Sequence, residues 1–216
     1  MIDMHTHTLL SDGALLPSEL VARAGACGYR AVAVTDHADR SNINDVVKKT
    51  IEFAESMNRT GTVIVVAGVE LTHIPPSDIG PMVEEARGLG AGLVVFHGET
   101  IVEPVAKGTN LAAIEAGVDI LAHPGLVTEA ECRLAARNNV RFEITSRKGH
   151  GLTNGHVALM AKRFGVKLVL NTDAHGPSDL ITVDHALKVV RGAGLNEDDY
   201  EVMRKNAEEL LEKVRA

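Results

Sequence analysis

Seven short apolar runs punctuate the chain, and stretches with helical spacing of apolar and polar positions lie between them. The runs fall at about 1–5, 31–35, 63–70, 92–97, 118–123, 141–145 and 167–172. Most are apolar at almost every position, as in AVAV from Ala31 or LVVF from Leu93. A sheet with one wet face would alternate, whereas continuous runs suit strands buried on both faces of a parallel sheet. Helices are predicted at 17–27, 44–58, 78–89, 110–116, 128–138, 155–164, 178–191 and 197–215. Pro17 and Ser18 open the first and Gly28 stops it. Thr128 and Glu131 have the spacing of a capping box. Strand and helix therefore alternate along one domain, 1–216, with no linker or low-complexity tract. That pattern fits either an open doubly wound sheet or a closed barrel.

The polar residues at the strand ends separate the two. His5 and His7 end the first run, Asp36 and His37 the second, and Glu70 the third. His97 and Glu99 follow the fourth and His123 the fifth; Glu143 lies in the sixth, and Asp173 and His175 end the seventh. In a (β/α) barrel all strand ends converge on one face, where catalytic groups collect. In an open sheet only strands beside the switch point reach a common ligand. A full ring of imidazoles and carboxylates therefore predicts a closed or nearly closed seven-stranded barrel. Of ten histidines, six stand at strand ends, a placement that scattered core histidines would not produce. Imidazole with carboxylate, and no thiolate, suits divalent Zn, Mn or Fe held for hydrolysis.

Four histidines fall elsewhere. His185 reads as an exposed helical residue and His156 as a helix-start residue. His73 and His150 lie in loops on the catalytic face and could serve either the site or the loops. Gly88 to Gly92 has the look of a nucleotide loop, but it follows a helix and precedes a strand, the reverse of a dinucleotide loop. It reads as a helix stop.

Composition narrows the function. Lys and Arg number 22 against 29 Asp and Glu, a net charge of −7. That speaks against a general nucleic-acid or anionic-membrane binder, which needs a basic surface. No apolar run reaches the roughly 20 residues of a membrane span. The start, MIDMHTHT, lacks the basic and apolar regions of a signal peptide. Cys27 and Cys132 sit in helical patterns and read as small apolar residues, so a reducing cytoplasmic setting is expected.

Taken in order, His5-x-His7, Ser11-Asp12-Gly13, Thr35-Asp36-His37, Gly68-Val69-Glu70, His97-Gly98-Glu99, Ala122-His123-Pro124 and Asp173-Ala174-His175 resemble the motifs of the PHP (polymerase and histidinol phosphatase) superfamily. The resemblance spans nearly the whole chain. It implies a distorted seven-stranded (β/α)7 TIM-like barrel, a trinuclear metal site and, usually, phosphoesterase activity. Carried over, the family pattern puts one metal on His5, His7, Glu70 and Asp173. A second takes Glu70, His97 and His123, and a third takes Asp12, His37 and His175. Asp36 would stand behind the metals, orienting a ligand or fixing a tautomer.

The stretch EITSRKGHGLTNGH, 143–156, concentrates Ser146, Arg147 and Lys148 after the sixth strand. Arg147 is expected to clamp phosphate oxygens in a bidentate fork, with Ser146 and Lys148 beside it as substrate-binding candidates. With two tyrosines, four phenylalanines and no tryptophan, the chain offers few platforms for stacking bases, which favours a small polar phosphate ester. Two other readings use the same residues. An amidohydrolase-type binuclear hydrolase would need His5, His7, Glu70, His97, His123 and Asp173, leaving Asp12, His37 and His175 idle. Some PHP-like chains are protein subunits of RNA-processing machines that have lost metal ligands, whereas this chain keeps all nine.

Overall fold

The computed structural model describes residues 1–215. Its strands are β1 (Ile2–Asp3), β2 (Ala31–Val34), β3 (His37–Ala38), β4 (Ile64–Leu71), β5 (Leu93–His97), β6 (Ile120–Ala122), β7 (Arg141–Thr145) and β8 (Leu168–Asn171). Its helices are α1 (Pro17–Ala26), α2 (Ile43–Asn58), α3 (Ile79–Gly88), α4 (Thr109–Glu115), α5 (Glu129–Asn138), α6 (Asn154–Phe164), α7 (Val183–Gly192) and α8 (Glu197–Arg215). The strands pair in parallel in the order β1-β2-β4-β5-β6-β7-β8. β3 resumes the second strand after a break at Thr35 and Asp36, and sets His37 opposite Glu70 of β4. The ring closes where Thr6 bridges Ala174 in parallel, with His7 N donating to Ala174 O at 2.8 Å and Asp173 N to His5 O at 3.0 Å. The result is a nearly closed TIM-like barrel of seven parallel strand positions.

Alternation along the strands sorts their side chains into two cores. Leu93 and Val95 of β5 point inward with Ile2, Met4, Ala31, Ala33, Val66, Ile120, Ala122 and Val169. Phe96 and Phe142, both fully buried, point outward against the helices. His97 shares the inward parity of Leu93 and Val95, and Glu143 the opposite parity to Phe142, so both face the barrel axis. α8 lays Ala207, Leu210 and Leu211 against the inward core at the end opposite the histidines. α5 carries the predicted cap: Thr128 Oγ1 accepts from Glu131 N, and Glu131 Oε2 accepts from Thr128 N at 2.7 Å. Cys132 is buried among its apolar neighbours, and both cysteines are free. No helix among the described residues is long and apolar enough to cross a membrane.

Several predicted elements are shorter than their sequence pattern, and for two of them a carboxylate shows why. The helix expected at 178–191 begins only at Val183. Residues Pro177–Asp179 form a 3₁₀ turn instead, because the Asp179 carboxylate accepts from His175 N and Gly176 N at 3.0 and 2.9 Å. Leu180 is then extended, and the Thr182 hydroxyl caps α7 by accepting from His185 N. His185 itself is exposed, as expected. The first strand stops at Asp3, whose buried Oδ1 accepts from His5 N and Thr172 N at 3.2 Å while Oδ2 meets Thr172 Oγ1 at 2.5 Å.

Burial pushes the Asp3 carboxyl up from 3.8 to about 6, against the pull of the Thr172 bonds. The folded chain therefore keeps this proton where the unfolded chain has lost it. Asp3's contribution to stability is complete below about pH 4 and falls as pH rises through about 6, by roughly 3 kcal/mol. In Asp3→Asn the side-chain NH₂ replaces the carboxyl hydrogen toward Thr172 Oγ1 and the loss disappears. Urea denaturation of metal-free protein across pH 4 to 7 should show the variant gaining on the parent by about that amount. A constant difference across the series would contradict the buried protonated carboxyl.

Candidate metal centre

The strand-end residues meet at one end of the barrel, at the floor of a cleft of about 460 Å³. Two buried carboxylates stand among them, Asp173 in the cleft lining and Glu70 fully buried behind it. His5 Nε2 lies 3.4 Å from Glu70 Oε1 and 3.6 Å from Asp173 Oδ1. His7 Nε2 is 3.6 Å from Glu70 Oε2 and 3.1 Å from Asp173 Oδ1. His123 Nε2 is 3.7 Å from Glu70 Oε1 and from Asp173 Oδ2. On the open side Asp12 Oδ1 lies 3.3 Å from His175 Nε2 and 3.6 Å from His37 Nε2.

The second ring nitrogens show which way the imidazoles face. His5 Nδ1 donates to Glu143 Oε1 at 2.8 Å, His175 Nδ1 to Asp173 O at 3.0 Å, and His37 Nδ1 to Thr72 Oγ1 at 2.7 Å. With the proton on Nδ1, each Nε2 lone pair points into the cluster, the arrangement that metal-binding histidines take. His5 Nε2 and His7 Nε2 stand 3.1 Å apart, close for two lone pairs unless something positive lies beside them.

Glu70 makes the same point. Its oxygens are fully buried without a well-formed hydrogen bond; His37 Nδ1 is 2.7 Å from Oε2 but is better aligned on Thr72. A buried carboxylate with no donor is costly unless a cation compensates it. Donors sharing one tetrahedral cation at bond lengths near 2.1 Å stand about 3.4 Å apart, which the separations around Glu70 and Asp173 bracket. The residues therefore fit divalent metal. Three donor groups could each hold an ion: His5, His7 and Glu70; His5, His123 and Asp173; and His7, Asp12, His37 and His175.

The protonation balance follows from this crowding. Burial opposes a charge on His5, yet Glu143, Glu70 and Asp173 outweigh it and hold the imidazole well above its ordinary value. Burial and the neighbouring His37 push His7 down, and burial with His97 does the same to His123. Burial drives Asp173 up to about 7, His5 pulling against it and Glu70 and Glu143 adding to it. The His175 hydrogen bond holds Asp12 down to about 2. The negative field that keeps a proton on His5 is equally a field for a cation.

Backbone strain and close packing aim two of the donors. His123 and Asp173 have φ of 29° and 51°, in the left-handed region that side chains rarely adopt. Glu143 Oε2 holds the first by accepting from His123 N at 3.1 Å. The loops after β5 and β6 interlock through glycine: a Cβ at Gly98 would stand 2.4 Å from Ala122 O, and one at Gly125 1.9 Å from Glu99 O.

Several predicted residues stand elsewhere than expected. Asp36 contacts no imidazole through a hydrogen bond. It accepts from Thr8 N, Thr8 Oγ1 and Ser11 Oγ at 2.7, 2.8 and 2.7 Å, and so fixes the loop between His7 and Asp12. The carboxylate behind the ligands is Glu143, whose inward parity on β7 was the signal for it. Arg147 lines the cleft, its Nη1 donating to Asp179 Oδ2 at 3.1 Å, but Ser146 and Lys148 do not line it. His97 joins none of the three donor groups; its ring lies 4.4 Å from that of His123, and its Nε2 is 3.0 Å from Glu103 Oε2. Glu103 belongs to no motif and carries no periodic signal. Its carboxylate faces His97, His150 and His73, and the His97 bond holds it down to about 2. His150 is buried, stacked on His123 and bonded through Nδ1 to Thr100, whereas His156 bonds the Val127 carbonyl away from the cleft.

Known proteins resemble the chain along most of its length. An uncharacterized protein of Methanocaldococcus jannaschii is 48% identical over 98% of this chain and 99% of its own. A probable phosphatase of a Shewanella species is 30% identical over 91% and 85%, and the ribonuclease P protein component 3 of Methanosarcina mazei 29% over 87% and 79%. Among solved structures, a chain in the cryo-EM structure of archaeal ribonuclease P with mature tRNA superposes with a TM-score of 0.76 at 17% identity, covering 99% of this chain and 91% of that one.

Glu143→Gln keeps the shape of the carboxylate behind His5 and His123 but removes its charge. Metal titration of the variant should show cation affinity lowered roughly 10- to 100-fold with the fold intact; unaltered affinity would remove Glu143 from the centre. The PHP domain family model matches residues 3–215, and with the donors arranged in that order around one barrel mouth, the chain belongs to the PHP domain family.

Proposed function

We propose that this chain is a metal-dependent phosphoesterase that hydrolyses a small phosphate monoester, with three divalent ions (Zn, Mn or Fe) held by His5, His7, Asp12, His37, Glu70, His97, His123, Asp173 and His175. The observation that carries this reading is the pair of buried carboxylates, Glu70 and Asp173, ringed by imidazoles at cation-sharing separations on the floor of an open cleft. Bound cations would supply positive charge for phosphate oxygens and a water acidic enough to attack phosphorus. The relative named a probable phosphatase supports the same chemistry.

The chain's own residues do the remaining work. Asp179 tethers Arg147 through Nη1 and Asp173 Oδ2 lies 3.9 Å from its Nε, which leaves the Nη2 hydrogens for phosphate oxygens at little cost in side-chain order. Asp36, through Thr8 and Ser11, keeps His7 and Asp12 in register. The cleft holds a small ester, and its lining has no aromatic ring other than imidazole, so a stacked base finds no platform.

A second reading, a non-catalytic protein of an RNA-processing particle, is favoured by the ribonuclease P likeness in sequence and fold. The complete donor set and the net charge of −7 weigh against it. An amidohydrolase-type binuclear centre would leave Asp12, His37 and His175 idle, yet these three group with His7.

Metal analysis combined with a phosphate-ester panel separates the readings. Purified protein should carry three divalent ions and hydrolyse phosphate monoesters, and Glu70→Gln should lose both metal and activity. Metal-replete protein that turns over no phosphate ester but cleaves amides, or metal-free protein that binds RNA tightly, would overturn the proposal. Arg147→Ala should keep its metal while kcat/KM falls on the order of 100-fold; equal activity would remove the clamp.

A further inference from the structure

His97 sets a problem that the family donors do not solve. The other five imidazoles each lie within 3.7 Å of a Glu70, Asp173 or Asp12 oxygen, and all five take part in the donor groups. His97 does not, although it is 3% exposed and its Nδ1 has no partner. The carboxylate its Nε2 faces is Glu103, at 3.0 Å. Glu103 Oε1 also lies 3.4 Å from His150 Nε2, and Oε2 lies 3.9 Å from His73 Nε2.

Glu103 reaches this position from a loop built to hold it. Glu99 Oε1 accepts from Gly108 N and Asn110 N at 2.9 and 3.0 Å, closing the base of the segment 99–108. Thr100 bonds His150 at 2.8 Å and ties one side of the loop to the cleft wall. The tip then places Ile101 and Val102 toward solvent, 54% and 45% exposed, and Glu103, its side chain 39% exposed, in the cleft wall.

We propose that Glu103 is a tenth metal ligand, completing from this loop the shell of the cation held by His97, His123 and Glu70. This rests on the metal centre proposed above but not on the phosphoesterase reading. Three arguments support it. The separation from His97 falls near the range set by the other donor pairs, where two ligands share an ion. Glu70, His97 and His123 alone offer two imidazoles and one shared carboxylate, three protein ligands with a further position that Glu103 is placed to take. Finally, the opposite side of the centre already has its own carboxylate in Asp12, and Glu103 gives the His97 side its counterpart.

The test compares metal binding by wild type, Glu103→Gln, Glu103→Asp and His97→Ala, using chelator competition with Zn²⁺ and the visible spectrum of the Co²⁺ forms. Glu103→Gln and Glu103→Asp should weaken one ion, the same ion that His97→Ala loses, by roughly 10- to 100-fold, and change the Co²⁺ bands. The aspartate keeps the charge but is one methylene too short. If it restores wild-type affinity, Glu103 acts only through its field and the inference fails. Unchanged affinities and spectra in both variants, with three ions bound in wild type, also overturn it while leaving the metal centre standing. Fewer than three ions in wild type would overturn the trinuclear centre itself, and with it a cation for Glu103 to hold.

Discussion

The barrel mouth depends on the compensation of buried negative charge. Glu70 and Asp173 are sunk among imidazoles, Glu70 wholly buried and Asp173 just touching the cleft, and Glu70 has no well-formed hydrogen bond of its own. In such a place a carboxylate persists only if positive charge sits beside it. Two sources fit that need: an imidazole such as His5, whose carboxylate neighbours favour its protonated form, and a cation in the donor groups. Every other feature of the mouth serves this one requirement. Glu143 turns His5 toward the cluster and anchors the backbone of His123; the Asp173 carbonyl and Thr72 turn His175 and His37.

Convergence is what the barrel contributes. Glu70 and His97 lie on the neighbouring strands β4 and β5, His123 follows β6, Asp173 follows β8 and His5 and His7 follow β1, and closing the ring brings all of them to one mouth. The local backbone yields to this demand. His123 and Asp173 adopt left-handed conformations, and the glycines at 98 and 125 let two loops pass at distances no side chain would allow. Strain at the mouth is sustained by regular packing beneath it, where Phe96 and Phe142 are fully buried against the helices.

Much of this was legible in the residues. Continuous apolar runs announced a parallel sheet, and the ring of strand-end histidines announced its closure. Strand ends could be expected to share one mouth because strand order and chain order are one-dimensional signals, while the assignment of donors to metals came from the family resemblance. What escaped was set by contacts between distant segments. Asp36 stood at a strand end like a ligand partner, but only the fold shows it turned to Thr8 and Ser11. Ser146 and Lys148 shared Arg147's loop and not its direction. Glu103 lay in an irregular loop without period, and the start of α7 was displaced by a carboxylate the 3.6-residue pattern could not show to be engaged elsewhere.

The packing of α8 across the far end of the barrel makes the molecule a vessel with one opening. Ala207, Leu210 and Leu211 stopper it against the inward faces of the strands. Whatever reaches the donors must enter by the rim, past Arg147 on one side and Glu103 on the other, and must leave by the same door. Traffic to and from the donors is thereby serial, and an occupant seated at the mouth also retains whatever lies beneath it.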